Sequence, residues 1–170
     1  MAAVTATGRV TCSHITGGLA FSPPLTATGT SPESATITLK ATGCTTTGSD
    51  VSTIGSGSTK VTLTSPTSAC SGVLTLRSVA LTIGWSSGAT PSTVTFSGYS
   101  IASTPAGNGG FSFPNPGGSA AVTGSFAGSD RGTGSTAAIY FDPSVAQLLT
   151  VCRSSGLSSI PVTAGTVTLK

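Results

Sequence analysis

The sequence predicts an all-β fold, an antiparallel sandwich or barrel with one short helix near Asp142–Cys152 and two disulfides. Three observations predict it. Apolar residues recur at every second position, the period of a strand with one buried face. Clusters of Gly, Ser and Pro punctuate those runs, as turns do. Hydroxyls also stand where charges normally do: only 6% of the residues are Asp, Glu, Lys or Arg, against roughly a quarter in an ordinary soluble domain. Ser and Thr together make up about a third of the chain, and β-branched Thr and Val favour the pleated backbone.

Taken in order, a first strand is expected around Cys12. Ala35, Ile37, Leu39 and Ala41 then alternate with Thr36, Thr38, Lys40 and Thr42, a strand whose wet face is mostly threonine. Val61 and Leu63 repeat the pattern, and Val79, Leu81, Ile83 and Trp85 form a longer stripe. Val94 with Phe96 follows, then Val122, Gly124 and Phe126, then Ile139 with Phe141, and finally Val167 with Leu169. Between them, Gly55-Ser56-Gly57-Ser58, Ser86-Ser87-Gly88 and Pro105-Ala106-Gly107-Asn108-Gly109-Gly110 read as turns and loops. One segment has a helical period instead. Asp142 suits an N-cap and Pro143 the first helical position. Val145, Leu148, Leu149 and Cys152 share one face, and Gly156 is a natural stop. This helix is expected across an open end or edge of the sheets, with Cys152 turned inward.

At 170 residues a single β domain, 1–170, is the natural count. Disordered chains combine low hydrophobicity with high net charge; here 37% of the residues are hydrophobic and the net charge is +3, so the chain reads as folded. Its basic residues (Arg9, Lys40, Lys60, Arg77, Arg131, Arg153 and Lys170) form no run or stripe. A nucleic-acid partner, which would need them clustered, is not expected. No apolar stretch is long enough for a transmembrane helix, and no signal-peptide h-region is present, so export would imply a leader already removed.

Cys12, Cys44, Cys70 and Cys152 contain no CxxC pair, and His14 is the only histidine. A zinc site of ordinary spacing is therefore not expected, nor any cofactor. An even cysteine count in such a chain points to two disulfides and an oxidising compartment. Three connectivities are possible; the pairing expected is Cys44–Cys70, closing a mid-chain loop, and Cys12–Cys152, tying the first strand to the helix.

Catalytic groups are scarce. A Ser-His-Asp triad would have to use His14, and its neighbour Ser13 should point to the opposite face of a strand. The acids are Glu33, Asp50, Asp130 and Asp142; Asp142 caps the helix and the others sit in turn-like sequence, with nothing to set two at glycosidase separation. In Ser129-Asp130-Arg131-Gly132 a local ion pair is the simpler reading. An isopeptide bond would need Lys40 or Lys60 buried beside Asn108 or Asn115, yet Lys40 lies on the threonine face. The aromatics carry the binding alternative. Trp85, Tyr99, Phe111 and Phe113 could form a sugar-stacking platform, while the simpler place for Trp85 is the core. Phe21-Ser22-Pro23-Pro24 and Phe111-Ser112-Phe113-Pro114 could form an exposed rim or fold over the core.

In the order Cys12, Phe21-Ser22-Pro23-Pro24-Leu25, Gly43-Cys44, Cys70, Gly84-Trp85, Gly124-Ser125-Phe126 and Cys152, the chain resembles small secreted, four-cysteine, Gly/Ser/Thr-rich β proteins of actinomycetes. The resemblance implies export and a β fold, and brings no site residues. The function expected is non-enzymatic: an extracellular or cell-envelope structural or binding module. Cell-wall polysaccharide or another envelope protein would be its partner. Two alternatives stand beside it. One is a carbohydrate-binding module built on the aromatic platform. The other is a self-assembling surface subunit, because threonine strands with little charge guard their edges poorly.

Overall fold

The computed structural model describes residues 2–48, 54–65, 67–71, 78–128 and 131–170. The strands run β1 (Arg9–Leu25), β2 (Glu33–Thr47), β3 (Ser56–Ser65), β4 (Ser78–Trp85), β5 (Ser92–Ser97), β6 (Ser100–Ser103), β7 (Gly109–Phe113), β8 (Ala120–Gly124) and β9 (Thr136–Tyr140). Helix α1 (Val145–Ser155) follows, then β10 (Leu157–Val162) and β11 (Ala164–Leu169). All strand pairs are antiparallel, in the order β6-β7-β9-β11-β1-β2-β3-β4-β5-β8 with β10 beside β1. The sheet curls into a half-barrel.

The long strands organise it. β1 and β2 form one hairpin ladder from Arg9↔Thr47 to Ser22↔Ser34. On the other side of β1, β11 and β10 follow in one register from Cys12↔Val167 through Gly17↔Val162 to Ala20↔Ser159, interrupted at Thr163, whose N–H goes to Tyr140 O instead. The register shifts between Ala20 and Leu25, which pairs with Leu157. On the outer face, cross-strand threonines bond through their hydroxyls: Thr36 with Thr62, Thr82 with Thr93 and Thr11 with Thr168, each at 3.3 Å. Such pairs are the stabilising unit of a sheet face.

The curl has a local cause. β3 and β4 pair only through Gly57↔Trp85 and Ser58↔Gly84. Beyond that point the leaf β4-β5-β8 separates from β3 and packs over the inner face, where Phe96 of β5 meets Phe113 of β7 at 5.7 Å between rings. Gly57 is required at the junction: a Cβ there would lie 2.7 Å from the Trp85 ring. The segment read as a Gly/Ser turn is thus the start of β3, held open for an indole.

The disulfides are Cys12–Cys44 and Cys70–Cys152, which corrects both expected pairs. Cys12 and Cys44 are directly opposite in the β1–β2 ladder, so the partner of the first cysteine is set by hairpin register. Cys70 instead anchors the helix through Cys152, whose side chain is buried as expected.

The helix also starts later than predicted. Ser144 is its N-cap, in a reciprocal capping box with Gln147, and Asp142 accepts a 3.3 Å hydrogen bond from Thr163. A serine followed three residues later by Gln closes two backbone donors at once, which outcompetes an aspartate before proline. Leu148 and Cys152 face the core and Gly156 caps the end. Phe126 and Phe141 fall just outside their strands; Phe126 sits at φ 61°, a turn conformation, yet is fully buried. Gly109–Phe113, read as part of a loop, is strand β7.

Candidate ligand-binding trough

Alternation places the same parity of β2 on the inner face: Glu33, Ala35, Ile37, Leu39 and Ala41. Across the ladder stand Ser65, Leu63, Val61, Thr59 and Gly57 of β3. Because β4 parts from β3, these residues face the opposing leaf with space left between them. A cavity of about 70 Å³ results, walled by Ile37, Leu39, Ala41 and Thr59 on one side and by Val79, Leu81, Ile83, Val94 and Phe96 on the other. Ile15 and Leu19 of β1, Phe111 and Phe113 of β7, and Ile139 of β9 close its floor. Leu39, Thr59, Leu81 and Phe113 are only half-buried, so the cavity is reached from outside.

Two polar groups interrupt this apolar face. Thr59 Oγ1 is buried with no hydrogen-bond partner, and so is Oε1 of Glu33, a residue only 7% exposed. Burial pushes the Glu33 carboxyl above its usual pKa. Buried polar groups are nearly always satisfied, so two orphans on one concave face distinguish it from the rest of the core.

The predicted aromatic residues divide into two sets. Tyr99 meets Phe111 edge-on at 5.1 Å and Phe113 at 6.1 Å, and Phe111 continues to Phe141 at 5.6 Å. Trp85 is elsewhere, edge-on to Phe126 at 5.4 Å, with its Nε1–H donated to Ser92 Oγ at 2.9 Å. Trp85 is 6% and Phe111 1% exposed, so neither offers a ring face to a sugar: inward parity on β4 and β7 puts both in the core. Phe21 and Phe113 are half-buried against the core, while Ser22, Pro23 and Pro24 of the first Phe-Pro segment are exposed.

Catalytic candidates stay dispersed. Ser13 Oγ and His14 Nδ1 do share a 2.9 Å hydrogen bond, contrary to strict alternation. The inward phase slips between Cys12 and Ile15 while Gly43, opposite, stands at φ 63°, and both side chains are left exposed. No acid of the described residues is bonded to His14. Asp50, Arg77, Ser129 and Asp130 lie outside the described residues. Lys40 and Lys60 are exposed on the outer face, apart from Asn108 and Asn115. Among the described residues no cluster of His, Cys, Asp and Glu could hold a metal ion, and no helix is long and apolar enough to cross a membrane.

Of the trough, sequence reasoning found the apolar stripe and missed Glu33 and Thr59. The signal for Glu33 was its parity with Ala35 and Ile37. No protein-family model, no curated protein and no solved structure matches the chain.

Proposed function

We propose that this chain is a non-enzymatic, disulfide-held extracellular or cell-envelope module that binds the apolar part of a small molecule in the trough of its curled sheet. The observation that carries the reading is the apolar cavity between β2–β3 and β4–β5, reached from solvent through half-buried walls. Covering its apolar wall stabilises a complex by about 25 cal/mol for each Å² removed from water. Two disulfides support an oxidising compartment.

The test is uptake of the dye N-phenyl-1-naphthylamine, which brightens in apolar surroundings. The wild-type chain should show saturable fluorescence gain, and Ala41→Leu, whose added carbons occupy the cavity, should lose it with an unchanged circular dichroism spectrum. No saturable uptake by the wild type would refute the reading.

A second reading, self-assembly, is favoured by one feature. β6 ends the sheet path, carries no charge, and exposes Ile101 at 56%; an unguarded edge is a template for another strand. Light scattering separates the two: a concentration-independent monomer would rule out assembly through β6.

A further inference from the structure

Glu33 stands at the end of an apolar stripe, and its Oε1 is buried without a hydrogen-bond partner. It belongs to the inward stripe that continues through Ala35 to Ile37, Leu39 and Ala41. Ala35 is flanked across the ladder by Phe21 and Leu63, all three half-buried. Ile37 lies four residue steps along the strand from Glu33, roughly 13 Å at the rise of an antiparallel strand. The cavity wall ends at Ile37, and a track of half-buried apolar side chains on the same face leads on from it toward the carboxylate.

That carboxylate is poorly served. Glu33 Oε1 lacks any hydrogen-bond partner, and no cation of the described residues pairs with it. Ser65, directly opposite, donates its hydroxyl to Thr67 O at 3.0 Å instead. Lys40 and Lys60 lie on the other face of the same two strands. A buried carboxyl oxygen without a partner is disfavoured, so the orphaned Oε1 beside half-buried apolar side chains points to a donor arriving from outside.

We propose that Glu33 is the head-group site of the trough, and that the ligand is a single-chain amphiphile with a cationic, hydrogen-bond-donating head: an alkylammonium compound. The inference rests on the apolar-ligand reading and gives its ligand a polarity. The end of the tail enters the cavity under Leu39 and Leu81, the rest lies along the half-buried side chains past Ala35, and the head reaches Oε1. An ammonium group supplies both donors and the opposite charge. An alcohol supplies one donor and no charge, and a fatty acid brings a like charge to a desolvated anion.

The test displaces N-phenyl-1-naphthylamine from the intact, oxidised chain with dodecylamine, dodecanol and dodecanoate. The amine should compete best, the alcohol next and the carboxylate worst, with amine and carboxylate about tenfold or more apart, as a paired buried charge warrants. Glu33→Gln should still take up dye but bring the two within about threefold, since only uncharged polarity remains. Glu33→Asp, with its shorter reach, should fall between. Equal competition in the wild type, or an amine preference that survives Glu33→Gln, overturns the head-group site and leaves the apolar trough standing. Absence of dye uptake overturns both.

Discussion

Replacing Thr59 by Val should make the protein more stable. Thr59 stands opposite Leu39 on the inner face, in the cavity wall, and its Oγ1 is buried without a partner. A buried, unsatisfied hydroxyl costs about 1–3 kcal/mol. Because the residue as a whole is half-buried, the lower part of that range applies, about 1–2 kcal/mol. Valine has nearly the same shape and keeps the β-branch that suits a strand, so the substitution removes the polar atom without adding strain. For a chain of 170 residues the gain corresponds to a rise of about 2–8 °C in Tm. Thr59→Ser is the matched control: it keeps the hydroxyl and deletes the methyl, and should lose about 1 kcal/mol. Urea unfolding followed by Trp85 fluorescence measures all three proteins. The expected order of stability is Val, Thr, Ser. A Thr59→Val protein less stable than wild type would mean that the hydroxyl has a partner, and the orphan reasoning would be wrong.

Other consequences are equally open to measurement. Ser92 Oγ accepts from Trp85 Nε1 at 2.9 Å and donates to Ser125 O at 2.6 Å in a fully buried site. Ser92→Ala should therefore cost about 2–4 kcal/mol in a urea titration, since it orphans a donor and an acceptor; a loss below about 0.5 kcal/mol would contradict the network. Removing Cys70–Cys152, which spans 82 residues, should cost about 1 kcal/mol more than removing Cys12–Cys44, which spans 32, on chain-entropy grounds; paired Cys→Ser variants compared by thermal unfolding decide it. Glu33 binds its proton more tightly folded than unfolded. Stability should therefore fall as pH rises from the ordinary carboxylate range through its higher folded value, and stay lower above it. Denaturation midpoints should show that slope in the wild type and its loss in Glu33→Gln.

The β class and most strand interiors were legible because alternation in Val79–Trp85 or Ala35–Ala41 is local information. The helix face was legible for the same reason, through Leu148 and Cys152. What failed was non-local. Cys12 finds Cys44 only once the β1–β2 register exists, and no spacing rule in the sequence encodes that register. Gly57 was read as a turn residue because its reason for being glycine, the Trp85 ring, lies 28 residues away in sequence and 2.7 Å from the missing Cβ. Of the trough, the apolar half was visible as ordinary core pattern. The void within it depends on β4 parting from β3, and no local propensity records that divergence. Glu33 could have been found by extending the parity of Ile37 and Leu39 two steps back.

The threonine pairs Thr36–Thr62, Thr82–Thr93 and Thr11–Thr168 give the outer face a further property. Their hydroxyls carry no formal charge, so a shortened Debye length has nothing in these bonds to screen. Moving from dilute buffer to sea-water ionic strength, or across several pH units, should leave its wetting and its cross-strand bonds unaltered. These hydroxyl pairs are thus electrically quiet, and salt or pH acts instead on the formal charges around them, Lys40 and Lys60 on the same face and the buried Glu33 within.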